Sequence, residues 1–161
     1  MRLVIQRVSE ASLTVDGQSA GNMKAGLVVL IGIEEADTEE DATWLAGKVS
    51  AMRIFGDNDG KMNLSLTDIA GSLMVVSQFT LHASTKKGNR PSFIKAARPE
   101  KAIPLYDSFI ARIRNLLPLP AVAPAKEGKT PIITGTFGAD MQVQLVNDGP
   151  VTIIIDSKER Q

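Results

Sequence analysis

Gly26-Leu27-Val28-Val29-Leu30-Ile31-Gly32-Ile33 is an almost wholly apolar run. It is short, rich in valine and isoleucine, and bounded by glycine. Such a run reads as a central strand buried on both faces.

Upstream, Arg2–Val8 is β-branched and partly alternating, and Ala11–Val15 repeats the pattern. Both read as strands, with Asp16-Gly17 as the turn that follows. Downstream, Thr38 opens a helix whose first turn holds Glu39, Glu40 and Asp41. Carboxylates there face the positive end of the helix dipole. Ala42, Leu45, Ala46, Val49 and Met52 then form one apolar stripe. Gly56-Asp57-Asn58-Asp59-Gly60 is a turn. Ser72–Gln78 is another strand, with Leu73, Val75, Ser77 and Phe79 on one face and Met74, Val76, Gln78 and Thr80 on the other. A second helix is expected from about Pro99 to Leu117, with Ile103, Tyr106, Ile110, Ile113 and Leu117 as its stripe. Pro104 suits only its first turn. Residues 118–131 carry four prolines and read as a loop insertion. Met141–Val146 and Val151–Asp156 close the chain as an expected hairpin, with Asn147-Asp148-Gly149 as its turn. The expected class is α/β: residues 1–161 form one domain of two packed mixed or antiparallel β-sheets. Two helices cover one outer face, in a three-layer β/β/α arrangement.

Composition narrows the chemistry. The 161 residues include no cysteine, which excludes a disulfide framework, a thiol nucleophile and thiolate zinc sites. Formal net charge is zero, so any contact with nucleic acid must be local. No run suits a signal peptide or a membrane span, and a cytoplasmic protein without membrane association is expected. Neither a metal nor a cofactor is expected.

The usual reaction centres are weak. His82, the one histidine, stands five residues after Ser77, which on a continued strand sets the two on opposite faces. No acid nearby in sequence orients the imidazole, and a surface position is expected for it. Asp57-Asn58-Asp59-Gly60 places glycine too early for a calcium loop. Ala123-x-x-x-x-Gly128-Lys129-Thr130 fits a relaxed phosphate-loop pattern, but prolines replace the strand before it and no helix follows. Lys86, Lys87, Arg90, Lys95, Arg98 and Lys101 stand against one acid, Glu100. This excess is either a solvated loop or a set of phosphate contacts.

Two segments interrupt the apolar pattern. In Ser77-Gln78-Phe79-Thr80-Leu81, a strand ends among hydroxyls and an amide. The N–H groups of Phe79 and Thr80 can lose their ladder partners there and face a developing oxyanion. In Asn147-Asp148-Gly149-Pro150-Val151-Thr152, the glycine–proline bond is either an ordinary turn element or a cis linkage that aims two carbonyl oxygens the same way.

Together these segments resemble the signatures of the D-aminoacyl-tRNA deacylase family. Ile5-Gln6-Arg7-Val8, Gly60-Lys61-Met62-Asn63, Arg90-Pro91-Ser92-Phe93 and Phe137-Gly138-Ala139-Asp140-Met141 extend the resemblance over the whole chain. The 118–131 stretch is longer than the bacterial pattern. The resemblance implies a homodimeric ester hydrolase acting on D-aminoacyl-tRNA and on mischarged glycyl-tRNA while rejecting L-aminoacyl-tRNA. It implies roles for Ser77, Gln78, Phe79 and Thr80 in catalysis. It also implies a cis Gly149-Pro150 bond entering the partner's pocket, Arg7 orienting that motif, Phe137 packing near the terminal adenosine, and Met141 beside it. The substrate 2′-hydroxyl is expected to help activate water. The alternative is a non-catalytic RNA-binding dimer using the basic segment.

Overall fold

The computed structural model describes residues 1–117 and 132–160. The apolar run at Gly26 forms β3 (Gly26–Gly32), flanked on one side by β1 (Arg2–Val15) and on the other by β6 (Ser72–Ser77). The β1–β3 pair is antiparallel and the β3–β6 pair parallel. Beyond β6 lies β7 (Ile132–Thr134), again parallel. Each parallel step needs a crossover, and each crossover carries a helix: α1 (Glu39–Ala51) between β3 and β6, and α2 (Pro99–Leu116) between β6 and β7. Right-handed crossovers that advance in one direction across a sheet put both helices on the same face. A small hairpin, β4 (Phe55–Gly56) and β5 (Met62–Leu64), also sits in the first crossover.

Alternation along these strands fills two apolar clusters. Leu27, Val29, Ile31, Leu73, Val75 and Ile132 face the helices, where they pack with Leu45, Val49, Phe109 and Ile113. Val28, Met74, Val76 and Ile133 face the opposite side, where they meet Val8, Leu13 and Met23. The second cluster is closed by the far half of β1, by β2 (Gln18–Met23), and by the first half of β8 (Met141–Asp156). These layers are the β/β/α order expected from the sequence. Strand β1 belongs to both β layers. Its residues 2–8 pair with β3, whereas residues 11–15 pair with β2. The inward set shifts from Leu3 and Ile5 in one cluster to Val8, Ala11 and Leu13 in the other. A side-chain period of two permits that change only where the pairing slips. The register with β8 is irregular between Gln6 and Glu10.

Several local expectations change. Residues 141–156 are one 16-residue strand antiparallel to β1 along its length, not a hairpin. Asn147–Thr152 is therefore a bulge inside a strand. Arg2–Val8 and Ala11–Val15 are likewise halves of a single strand. The buried stripe of α2 runs through Ala102, Leu105, Tyr106, Phe109, Ile110 and Ile113, while Ile103 is exposed. Pro104 lies at the sixth helical residue, past the first turn. The proline-rich 118–131 stretch, with Ala123, Gly128, Lys129 and Thr130, lies outside the described residues. Among the described residues, no helix is long and apolar enough to cross a membrane.

The helix start at Thr38 is specified locally. The Asp41 carboxylate accepts from the Thr38 amide at 2.8 Å and from its hydroxyl at 3.1 Å. Lys158 reaches the same carboxylate at 2.8 Å, tying the C-terminal segment to α1. Met1 is fully buried, and its amine pairs with buried Asp37 and donates to the Ser157 hydroxyl at 2.9 Å.

Candidate active site

Strand β6 ends at Ser77, and the chain turns at once into a 3-10 turn over Phe79–His82. The last link to β3 is the Gln78 amide, which donates to the Ile31 carbonyl at 2.7 Å. The first amides of a helical turn have no carbonyl partner within it. Accordingly, the N–H groups of Phe79 and Thr80 have no acceptor among the described residues. Two contacts hold the turn. Arg2 donates to the Leu81 carbonyl at 2.9 Å while its Nε binds Asp156, also at 2.9 Å. Gly32 lets the turn lie against β3: a Cβ there would stand 2.9 Å from Leu81 Cβ and 3.1 Å from the Gln78 carbonyl oxygen. The Gln78 side-chain amide donates to the Thr80 hydroxyl at 2.5 Å.

This turn forms one wall of an open cleft of about 320 Å³. Ser77, Gln78 and Phe79 line it on one side, and Phe137, Met141 and Val143 on the other. Phe137 is set from behind by Tyr106 of α2, edge to face at 6.5 Å between centroids. The Tyr106 hydroxyl donates to the Val75 carbonyl at 3.0 Å. Burial first, with the neighbouring Asp107 charge, pushes its phenol up to about 12. Tyr106 is thus a neutral buried donor that positions the cleft. The sequence offered it only as one apolar stripe residue. Its being the one tyrosine on that stripe is the signal that a hydroxyl is needed there.

His82 departs from expectation. Its side chain is buried, 5% exposed, and its Nε2 has no hydrogen-bond partner among the described residues. The strand does not continue to it, so the Ser77–His82 spacing argument fails. The Asp57 carboxylate accepts the Asp59 and Lys61 amides, each at 3.0 Å, and so serves its own turn.

Arg7, Gly149 and Pro150 lie elsewhere. The Gly149-Pro150 peptide is cis, and Gly149 has φ +128°. Arg7 holds this bulge: Nε donates to the Asp148 carbonyl at 3.1 Å and pairs with its carboxylate at 3.3 Å. Its Nη1 donates to the Ile54 carbonyl at 2.6 Å. Inside the bulge, Asn147 accepts the Val151 amide and donates to the Thr152 hydroxyl, both at 3.0 Å. Asn147, where the bulge begins, stands six residues along β8 from Met141, about 20 Å of extended strand. The two signature segments are therefore far apart within one chain.

The profile of the D-Tyr-tRNA(Tyr) deacylase family matches residues 4–156. The chain belongs to that family. Among D-aminoacyl-tRNA deacylases, that of Akkermansia muciniphila is 61% identical and that of Flavobacterium johnsoniae 56%, each over 161 residues covering both chains fully. Two solved structures share the deacylase fold. One, described as c-Myc DNA Unwinding Element Binding Protein, has a TM-score of 0.84 at 38% identity, covering 97% of this chain and 98% of its own. The other, a probable eukaryotic D-amino acid tRNA deacylase, has a TM-score of 0.76 at 18% identity, covering 96% and 97%, and bears on the fold alone.

Proposed function

We propose that this chain hydrolyses the ester bond of D-aminoacyl-tRNA, releasing the D-amino acid and free tRNA. Family membership gives the reaction. The observation that carries the mechanism is the pair of unpartnered amides at Phe79 and Thr80, opening beside a cleft walled by Phe137 and Met141.

Water attacks the ester carbonyl, and the negative charge forming on its oxygen is held by the Phe79 N–H, assisted by that of Thr80. One donor of this kind is worth about 3 kcal/mol in a preorganised site. Collapse of the tetrahedral species expels the ribose 3′-oxygen, which takes up a proton. Ser77, Gln78 and Thr80 orient the ester and the terminal adenosine, against which Phe137 packs. Asp140 is the one carboxylate among the described residues that line the cleft, and no imidazole lines it. The neighbouring ribose 2′-hydroxyl supplies the proton relay.

Chirality is sorted by shape. Gly149 and Pro150 are exposed and held by Arg7, yet they lie too far along β8 to reach the cleft of their own chain. In a two-fold dimer, the bulge of one copy enters the cleft of the other. Its carbonyl oxygens then occupy the space an L side chain needs. A D side chain points outward, and glycine presents nothing to exclude, so glycyl-tRNA is accepted. Strand β8 supports such pairing. Among the described residues it is hydrogen-bonded to β1 on one side only, and it exposes Val146 and Ile154. A long edge strand of this kind is a ready surface for a second copy. The whole of residues 1–161 is read as one domain acting in the cytoplasm, where its substrate is made.

The decisive experiment is deacylation of matched D-, L- and glycyl-tRNA by the purified protein, with sedimentation to establish the dimer. Hydrolysis of the D- and glycyl-esters with sparing of the L-ester is expected. Equal hydrolysis of D- and L-esters refutes the steric account. Binding of tRNA with no hydrolysis would favour a non-catalytic RNA-binding dimer.

A further inference from the structure

Phe79 lines the cleft, its amide has no acceptor among the described residues, and the residue is 54% exposed. The ring meets Phe93 edge to face, with centroids 5.2 Å apart and planes at 74°. Phe93 is itself 37% exposed, and Ile94 beside it 91%. Two large rings braced against each other in solvent present a face that nothing among the described residues covers.

The charge around them is one-sided. From Ala83 to Arg98 the chain carries Lys86, Lys87, Arg90, Lys95 and Arg98 and no acid. All five cations are exposed. Glu35 and Glu100 line a hollow beside the segment together with Ile94, Arg98 and Lys101. The segment is anchored at both ends. Ser84 and Ser92 exchange two backbone bonds of 2.8 Å, and the Ala97 amide donates to the Ile33 carbonyl at 2.9 Å.

We propose that Phe79 and Phe93 form a stacking platform for the nucleotide that precedes the terminal adenosine of the tRNA, with the flanking cations on its phosphates. This extends the deacylase reading above and rests on it. The last nucleotides of an acceptor end are unpaired, so each base has a free π-face. With the terminal ester at the Phe79 amide, the ring of that same residue stands beside the cleft that the strand leaves. Aromatic rings beside a basic track are how proteins hold single strands without reading their sequence. A second copy of this chain fits the patch poorly, because a two-fold contact would set five like charges against five.

The test uses D-aminoacyl esters of adenosine, of a cytidylyl-adenosine dinucleotide, and of full tRNA, with wild type, Phe93→Ala and Phe93→Tyr. The wild type is expected to favour the dinucleotide ester over the adenosine ester by about tenfold in kcat/KM, within the range for one stacked base. Phe93→Ala collapses that preference to about twofold or less through KM, with kcat retained, whereas Phe93→Tyr keeps it. A wild type with no preference for the longer ester overturns the platform. So does a Phe93→Ala enzyme that loses equally on both short esters. An equal loss accompanied by a shift to smaller species in sedimentation assigns the rings to a subunit contact instead. A wild type inactive on every D-ester refutes the deacylase reading itself, and the platform with it, a result distinct from the others.

Discussion

Gly149→Ala isolates the bulge from the rest of the fold. At φ +128°, Gly149 occupies a region that side-chain-bearing residues rarely adopt, and such strain costs about 1–3 kcal/mol. The new methyl would also stand 2.9 Å from Arg7 Nη2, 2.9 Å from Val151 Cγ2 and 3.2 Å from the Val151 amide nitrogen. The arginine tip can move, but only by weakening its hold on Asp148. The bulge is exposed, so the chain relieves the strain by leaving the native bulge shape rather than by unfolding. A penalty of about 2 kcal/mol lowers the population of that shape roughly thirtyfold. The expected result is a fall of about thirtyfold in kcat/KM on D-aminoacyl-tRNA, with a reduced D/L ratio and only a small loss in melting temperature. A double-mutant cycle with Arg7→Ala sharpens the test. Without the guanidinium, the methyl loses one of its clashes, so the two substitutions should be less than additive. Gly149→Ala that retains wild-type rate and D/L ratio would refute this reasoning.

Tyr106→Phe should lower stability by about 1 kcal/mol in a denaturant titration, because the Val75 carbonyl loses one donor but keeps the Gly135 amide, while the ring behind Phe137 remains. Gly32→Ala should push the 3-10 turn off β3 and reduce deacylation at least tenfold, read as kcat/KM on D-aminoacyl-tRNA, through displacement of the Phe79 and Thr80 amides. Burial opposes ionisation of Asp41, but bonds from Lys158, Ser157 and Thr38 outweigh it and hold the carboxyl far below the usual range. Its folded pKa is depressed, so this stabilisation is complete above the unfolded value near 4 and fades as pH falls below it. Asp41→Asn should therefore cost stability at pH 7 and flatten the acid limb of a stability–pH curve. A tRNA ending in 2′-deoxyadenosine with a 3′-ester should be hydrolysed far more slowly, and undiminished turnover would remove the 2′-hydroxyl from the mechanism. Ser77→Ala and Thr80→Ala should each give partial loss without a trappable acyl-enzyme.

Much of the fold was legible because its elements announce themselves locally. The Gly26–Gly32 run, the acidic first turn after Thr38 and the stripe of α1 each follow from nearest-neighbour periodicity. The stripe of α2 was half right. The sequence placed Tyr106, Ile110 and Ile113 inward but also Ile103, which solvent covers. Two misreadings share one cause. Asn147-Asp148-Gly149 has the composition of a hairpin turn, yet β1 pairs with the segments before and after it and keeps them in one strand. Ser77 to His82 has strand-like spacing, yet the turn at Phe79 carries His82 into the interior. The separation of Arg7 and Gly149 from the cleft depends on the register between β1 and β8, whose partners stand some 140 residues apart in the chain.

The sequence by itself determined which residues are candidates for the chemistry. The hydroxyl- and amide-bearing segment at Ser77, the bulge residues at Asn147 and the lack of any thiol are matters of residue identity. Only the tertiary structure decided that the amides of Phe79 and Thr80 find no acceptor among the described residues, that Tyr106 braces Phe137, and that the bulge lies well along β8 from the cleft. Those features are properties of pairing across the sheet. Backbone hydrogen bonds look alike from one residue to the next, so sequence does not say which of them stay unmade.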